Sequence, residues 1–150
     1  NLGMFYKRRD YTRVVNGRNP IVAHEYLGDS VEGKTVFIAD DIIASGESML
    51  EVASNLKARG AKRIIADATF PLFTSGLDKF DKAVEEGTLD YVVGTNLTYR
   101  KPELLNRDWY VDVDVSKYAA YFIVALNHDM SVSSIIDPIK KIEALLANRK

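Results

Sequence analysis

The sequence contains no cysteine, and its net charge is only −1, from 20 basic and 21 acidic residues. The absence of cysteine excludes a disulfide-stabilised scaffold and every metal site built from thiolates. The balanced charge gives no basic surface for nucleic acid or for an anionic membrane. No apolar run approaches the roughly 20 residues of a membrane-spanning helix, and the apolar start before Lys7 is too short for a secretory signal. We therefore expect a soluble cytoplasmic protein without nucleic-acid or membrane partners.

The chain is nevertheless suited to a single domain with a hydrophobic core, since 47% of its 150 residues are hydrophobic. Apolar patterning predicts strands at residues 2–6, 21–27, 35–39, 63–69, 89–95 and 109–115. It predicts helices at about 47–59, 77–86 and 116–127, and a last one after Pro138. The first helix is expected to place Leu50, Ala53 and Leu56 on one face, with Met49 and Val52 beside them. The second is expected to point Leu77, Phe80, Ala83 and Val84 inward, and the third to bury Tyr118, Ala119, Phe122, Ile123 and Leu126. This alternation predicts an α/β fold, a mostly parallel open sheet with helices on both faces.

The most informative stretch places two carboxylates, Asp40 and Asp41, after an apolar run that predicts a buried strand. Ser45, Gly46 and Ser48 follow and lead into a helix. Ligands of open parallel sheets bind outside the carboxyl ends of the strands, and a helix amino terminus attracts anions. Carboxylates beside it suit ribose hydroxyls or a hydrated Mg²⁺, which leads us to interpret the stretch as a sugar-phosphate site. The alternative is that the Asp and Ser residues simply cap the helix.

A basic cluster, Lys7, Arg8 and Arg9, opens a polar segment that contains the turn signal Asn16-Gly17. We expect residues 7–19 to form a flexible loop, because long polar loops are often functional lids. The cluster has two interpretations. It is either a solvated group of charges at a strand end or a cationic arm that closes over a polyphosphate.

The Asp-Asp stretch resembles the phosphoribosyl-pyrophosphate binding motif of the type I phosphoribosyltransferase fold. That motif has two acids, two aliphatic residues, a variable residue, and then Thr/Ser-Gly-x-Thr/Ser. Ser45, Gly46 and Ser48 fall on the phosphate-loop positions of the motif, and Asp40 and Asp41 on its ribose-binding acids. Ala44 departs from the pattern, because Asp or Thr is frequent there, so no base is expected at that position.

The resemblance extends from Lys7 to about Ile136 and is to the C-terminal half of the ribose-phosphate pyrophosphokinases. Lys7 and Arg9 are similar to the catalytic flexible-loop motif of that family. Phe70 stands where the family has histidine, and one residue is added before Ser75-Gly76. The other similar segments are Glu32-Gly33-Lys34, Gly60-Ala61-Lys62, Val93-Gly94-Thr95-Asn96 and Ser131-Val132-Ser133-Ser134.

This resemblance implies transfer of the diphosphoryl group of ATP to C1 of ribose 5-phosphate, with Mg²⁺ as cofactor. It implies that Lys7 and Arg9 are catalytic, that Ser131 and Ser133 bind a regulatory phosphate, and that Asp40 is a metal ligand through water. It also implies a homo-oligomer in the intact protein. The family's N-terminal domain supplies most of the ATP site, so we expect these 150 residues to be the second half of a larger enzyme and inactive alone.

Two other functions remain open from the sequence. A phosphoribosyltransferase that consumes phosphoribosyl pyrophosphate would share the Asp-Asp turn, although it would need no basic loop at Lys7. A non-catalytic regulatory paralogue would bind sugar phosphate without turning it over, and Ala44 and Phe70 are the departures that favour it.

Overall fold

In a computed structural model, the chain is described over residues 1–9, 12 and 21–148, with side chains described for 1–6, 12 and 26–148. The strands are β1 (Met4–Arg9), β2 (Ile21–Leu27), β3 (Thr35–Ile43), β4 (Arg63–Pro71), β5 (Tyr91–Thr95) and β6 (Tyr110–Val113). The helices are α1 (Glu47–Ala58), α2 (Asp78–Glu85), α3 (Pro102–Leu105), α4 (Ser116–Asn127), α5 (Ser133–Ile136) and α6 (Ile139–Ala147). Within these ranges, no helix has both the length and the apolar character needed to cross a membrane.

The main sheet has four parallel strands in the order β3-β4-β5-β6, which confirms the predicted α/β fold with a parallel sheet. Strands β1 and β2 form a separate antiparallel pair. The pair packs against the core through Phe5 and Tyr26, whose ring centroids lie 5.1 Å apart. Because the four strands of the main sheet are parallel, their carboxyl ends all lie along one edge of the sheet, where the polar loops meet.

The core lies on one face of the main sheet. The four strands are neighbours in the sheet in the same order as in the sequence. When such strands are joined by right-handed crossovers, the connecting helices all lie on the same face of the sheet. Buried side chains of β4 and β5 accordingly meet those of α1 and α2, among them Ile64, Ala66, Val92, Met49, Ala53, Leu56, Phe80 and Ala83. On the opposite face Phe37 is 60% exposed and Tyr91 is 40% exposed. The expectation that the strand before Asp40 is buried was therefore wrong, because β3 is an edge strand with one uncovered face.

The first two helices confirm the sequence pattern. In α1 the buried side chains are Met49, Ala53 and Leu56, at the spacing expected for one helix face. Gly60, with φ of 84°, ends the turn after α1, where a left-handed conformation favours glycine. In α2, Phe80 and Ala83 are buried as expected, while Leu77 and Val84, also predicted to point inward, are half-buried.

The C-terminal helices depart from the expected burial. Helix α4 occupies the predicted residues 116–127, but Ile123 and Leu126 are each 68% exposed and Tyr118 is 42% exposed. Ala119 is also exposed and Phe122 is only half-buried. The predicted burial was wrong because α4 packs on α5, a four-residue helix without buried residues, and not on a broad sheet face.

Candidate functional site

Asp40 and Asp41 lie at the carboxyl end of β3, inside the strand, which continues to Ile43. Asp40 is opposite Ala68 of β4 in the parallel ladder. Both carboxylates are exposed, and the Asp41 backbone N–H donates to Asp40 Oδ1 at 2.8 Å. This bond lies within the strand, so neither carboxylate caps α1, whereas the Ser45 Oγ accepts a long hydrogen bond from the Glu47 N–H at 3.5 Å. The two acids are therefore available to a ligand, and the helix-capping interpretation is supported for Ser45 but not for the acids.

The connection from β3 to α1 consists of Ala44, Ser45 and Gly46, and we call it the β3–α1 turn. Gly46 precedes α1 directly and has the left-handed conformation, with φ 77° and ψ −5°. Its carbonyl accepts the first helical hydrogen bond, from the Leu50 N–H at 2.9 Å. The amides of the first helical turn have no acceptor in the preceding turn of their own helix, so they point toward the site that a ligand would occupy. Ser45 is half-buried and Ser48 is exposed beside them.

An aromatic ring lies directly beneath the β3–α1 turn. A Cβ placed on Gly46 would be 2.2 Å from a ring carbon of Phe80, so no larger residue fits there without displacement of that ring. Phe80 is fully buried and packs edge-on against Phe73, with centroids 4.9 Å apart, and in a stacked arrangement with Trp109 at 5.9 Å. The conformation of the turn therefore depends on a packed aromatic cluster formed by Phe73, Phe80, Trp109 and Tyr110.

The loop that follows β4 is hydrogen-bonded to the β3–α1 turn. The N–H groups of Leu72 and Phe73 both donate to the Ile43 carbonyl at 3.0 Å, and the Thr74 N–H donates to the Ala44 carbonyl at 2.9 Å. Phe73 has φ of 45°, a conformation uncommon for a residue other than glycine. The ends of β3 and β4 are thus fixed to each other just beyond the two acids.

Asp67 of β4 is a third carboxylate near the pair. Burial, together with the negative charge of Asp40, raises the pKa of Asp67 above its usual range. Among the described residues, its buried Oδ1 has no hydrogen-bond partner. No group of three or more acidic, His or Cys side chains suited to a metal is found in that part of the chain. Mg²⁺ still suits the exposed pair Asp40 and Asp41, since that ion commonly binds through one or two carboxylates, several waters and substrate phosphates.

A groove of about 700 Å³ runs between the first residues of the chain, β3 and α1. Asp40 and Ser48 are among its lining residues, as are Phe5 and Met49. The groove therefore brings one acid and one hydroxyl of the predicted site to a common opening.

Polar residues also gather where β5 and β6 end, at the same edge of the sheet. Asn96 donates from Nδ2 to Asp114 Oδ1 at 2.6 Å and to Ser116 Oγ at 2.8 Å. Hydrogen bonds from Ser116, and then one from Asn96, hold the pKa of Asp114 below its usual range. Arg100 forms a two-point ion pair with Asp112 at 2.8 and 2.9 Å. These groups bind mainly one another, which indicates a structural role, although the buried Arg100 Nε has no hydrogen-bond partner among the described residues.

Other predicted site residues lie apart from the acid pair or outside the described side chains. The backbone of Lys7 and Arg9 belongs to β1, opposite His24 and Ile21, so the strand runs three residues beyond its predicted end. The side chains of Lys7 and Arg9, and residues 10–11 and 13–19 of the predicted loop, lie outside the described residues. Ser131 and Ser133 are exposed before and in α5, where the Ser131 hydroxyl donates to Ser133 Oγ at 3.1 Å.

Three residues close to the acids and the turn were not among the predicted ones: Asp67, Phe73 and Phe80. The sequence carried one signal for them, the residue added before Ser75-Gly76, which falls in the loop that is hydrogen-bonded to Ile43 and Ala44. Phe80 was predicted only as an inward position of α2, because helical periodicity does not identify the neighbour across the interface.

Comparisons with known proteins agree with this geometry. The chain is 29% identical over 135 residues to a ribose-phosphate pyrophosphokinase of Shewanella oneidensis, a match that covers 90% of this chain and 40% of that protein. It is 41% identical over 64 residues to an orotate phosphoribosyltransferase of Oceanobacillus iheyensis, covering 43% of this chain and 30% of that protein. The chain therefore spans well under half the length of these relatives.

The fold is found in a solved structure as well. The phosphoribosylpyrophosphate synthetase of Mycobacterium smegmatis superposes with a TM-score of 0.61 at 23% identity, over 71% of this chain and 34% of that one. The predicted resemblance to ribose-phosphate pyrophosphokinases is thus confirmed. The phosphoribosyl transferase domain family matches residues 1–118. That match covers most of the chain, including both carboxylates and the β3–α1 turn, and the chain belongs to the phosphoribosyl transferase domain family.

Proposed function

We propose that the chain is the ribose 5-phosphate-binding part of a ribose-phosphate pyrophosphokinase. The observation that carries this proposal is the β3–α1 turn, in which left-handed Gly46 opens an amide-lined helix end a few residues after two exposed carboxylates. In the reaction, the C1 hydroxyl oxygen of ribose 5-phosphate attacks the β-phosphorus of ATP and loses its proton. The bond from that phosphorus to the α-phosphate oxygen breaks, giving phosphoribosyl pyrophosphate and AMP.

Different groups of the chain would bind different parts of the substrate. The amides of the turn and the hydroxyls of Ser45 and Ser48 would bind the 5-phosphate, since a helix amino terminus favours anions. Asp40 and Asp41 would accept hydrogen bonds from the 2- and 3-hydroxyls of ribose and so fix the direction of C1. Mg²⁺, held by Asp40 through water, would neutralise charge on the phosphoryl oxygens. Such positioning is the protein's main contribution to phosphoryl transfer.

Lys7 and Arg9 are proposed to stabilise charge on the transferring group. Cations brought over the phosphates as the bond breaks act on the transition state more than on bound substrate. In the full-length protein, Lys7→Ala should therefore lower turnover while leaving the affinity for ribose 5-phosphate nearly unchanged. Ser131 and Ser133 are proposed to bind a regulatory phosphate, which their exposure permits.

A second candidate function is phosphoribosyl transfer from phosphoribosyl pyrophosphate to a base. The 64-residue similarity to an orotate phosphoribosyltransferase favours it. Both functions use the β3–α1 turn, but only the first releases AMP from ATP. An assay of the full-length protein with ATP and ribose 5-phosphate separates them, and the non-catalytic paralogue would give neither product. The 150-residue chain alone should not form AMP, because the ATP site of this family lies mostly in another domain.

The direct test is binding of ribose 5-phosphate to the chain, measured by calorimetry for the wild type and two Asp→Ala variants. Asp41→Ala should weaken binding by about 10-fold or more, since it removes a charged hydrogen-bond acceptor. Asp108→Ala is the matched control, because Asp108 is exposed at the opposite, amino-terminal edge of β6. Failure of the wild type to bind ribose 5-phosphate, or equal losses in both variants, would refute the proposal.

A further inference from the structure

Glu47 is a carboxylate inside the segment that is proposed to bind a phosphate. It follows Gly46 directly, is the first residue of α1, and lies in sequence between the hydroxyls of Ser45 and Ser48. Without a ligand, an acid at this position stabilises the helix through the positive end of its dipole. With a phosphate on the same amides, the acid would repel it, because like charges a few ångströms apart interact unfavourably. A phosphate site with Glu47 therefore needs a compensating charge.

The compensating charge comes from the neighbouring helix. Lys79, in the first turn of α2, places its Nζ 2.6 Å from Glu47 Oε1. The two side chains are 52% and 56% exposed, so the pair contributes little to the stability of the fold. The positive charge of Lys79 nevertheless lies next to the amides of the β3–α1 turn, where a bound anion would experience it.

The position of Lys79 is fixed by the residue that follows it. Phe80 is fully buried and fills the space under Gly46, where a Cβ would lie 2.2 Å from its ring. The backbone at Lys79 therefore cannot move away from the turn unless this packing is lost. Besides Glu47, the acids on the first turns of these two helices are Asp78 and Asp81 of α2, and Lys79 is the basic residue that the first turn of α2 contributes.

We infer that Lys79 is a positioning residue for the phosphate site: it neutralises Glu47 and holds that carboxylate aside so that the β3–α1 turn can accept an anion. This inference rests on the proposed function, because it assigns a role within the same site. It predicts that the contribution of Lys79 depends on Glu47. A lysine that contacts the phosphate itself would contribute whether or not Glu47 is present.

The test is a double-mutant cycle with Lys79→Gln, Glu47→Gln and the double variant. The probes are inorganic phosphate and ribose 5-phosphate, titrated at low salt while the amide chemical shifts of Gly46 and Ser48 are recorded. Lys79→Gln should weaken binding about 5-fold and Glu47→Gln should strengthen it about 3-fold, the scale of one partly screened charge. In the Glu47→Gln background, Lys79→Gln should change the affinity by less than about 2-fold. Raising the salt concentration should shrink all of these differences.

Lys82→Gln is the matched control, because Lys82 forms an exposed ion pair with Glu86 at 3.6 Å on the same helix, away from the turn. It should leave phosphate binding unchanged. Equal losses from Lys79→Gln in both backgrounds, or no loss in either, would overturn the inference while the proposed function stands. Absence of phosphate and ribose 5-phosphate binding in the wild type would overturn both.

Discussion

The aromatic cluster under the β3–α1 turn and the C-terminal helices α4 and α6 are built from similar kinds of residue, but they end in opposite environments. Phe80 is fully buried, and Trp109 is 6% exposed. In α4 and α6, by contrast, Ile123 and Leu126 are each 68% exposed and Leu145 is 72% exposed. Phe80 and Ala83 of α2 and the apolar residues of α4 and α6 all lie at helical spacing. The difference therefore comes from what lies opposite each helix.

The presence of an apolar helix face and the burial of that face are two separate properties, although one sequence pattern suggests both. Periodicity indicates which face of a helix is apolar, whereas burial requires a second surface to cover that face. Helix α1 contacts the parallel strands β3 and β4, and the apolar positions of α1 and α2 belong to the buried core. Helix α4 meets the short helix α5, which has no buried residue of its own.

Among the substitutions that test this comparison, truncation of Phe80 should have the largest effect on the free energy of unfolding. Phe80→Ala should lower the free energy of unfolding by about 3–5 kcal/mol, because it removes a buried ring and leaves a cavity under the β3–α1 turn. Leu126→Ala, in α4, should change it by no more than about 0.5 kcal/mol. Urea unfolding of both variants measures the difference. Should Phe80→Ala fail to fold, Phe80→Leu provides a milder version, expected at about 1–2 kcal/mol.

Gly46→Ala tests the same contact from the side of the turn. Its Cβ would meet the Phe80 ring and its φ is unfavourable, so we expect a loss of about 2–4 kcal/mol in unfolding free energy, together with weaker ribose 5-phosphate binding. Gly76→Ala is the matched control, since Gly76 has φ of 82° but no atom within 4 Å of an added Cβ. It should cost about 1 kcal/mol. In a Phe80→Ala background, Gly46→Ala should approach the control value, and a full additional loss there would contradict the clash.

Much of the fold followed from local patterns in the sequence. The parallel sheet, the bounds of α1 and α4, and the buried positions of α1 and α2 were predicted because each element carries its own periodicity and its own stop signals. The burial of β3 and α4 was not predictable in this way, since it depends on strand order and on which surfaces meet. Helix α3, in a segment for which neither helix nor strand was predicted, begins at Pro102, a residue that suits the first turn of a helix.

At the candidate site, the sequence identified the residues that are proposed to bind the ligand better than the residues that hold them in place. Asp40, Asp41, Ser45, Gly46 and Ser48 form one contiguous stretch, so their proximity was predictable from the chain alone. Phe80 and Lys79 lie more than 30 residues away in sequence, and only the packing of α2 against the turn brings them there. No local pattern specifies such a contact.

The aromatic cluster should also respond to acid through Asp81. Although burial opposes it, hydrogen bonds from Arg107 at 2.8 and 2.9 Å and from Trp109 at 2.7 Å hold the pKa of Asp81 below its usual range. A lowered folded-state pKa means that the stabilisation is present above the unfolded pKa of about 3.9 and is lost as pH falls through the folded value. Asp81→Asn should therefore cost about 1 kcal/mol at pH 7, partly screened by solvent, and progressively less below pH 4.

Urea unfolding of Asp81→Asn and the wild type at pH 7, 5 and 3 measures this dependence. Glu85→Gln is the control, an exposed acid on the same helix. A difference between Asp81→Asn and the wild type that stays constant down to pH 3 would show that the two hydrogen-bonding partners do not stabilise the ionised carboxyl.

The smallest effect is expected where the sequence pattern looked most core-like. Ile123→Ser, in α4, should change the free energy of unfolding by no more than about 0.5 kcal/mol, because most of that side chain already contacts solvent. Ile64→Val removes one methylene from a fully buried side chain and should cost about 1 kcal/mol, more than loss of the whole exposed isoleucine side chain. Sedimentation should show less self-association for Ile123→Ser, since exposed apolar patches promote it. A loss of unfolding free energy above about 1 kcal/mol for Ile123→Ser would instead mean that a surface covers α4 in solution. The two regions would then not differ in burial as described above.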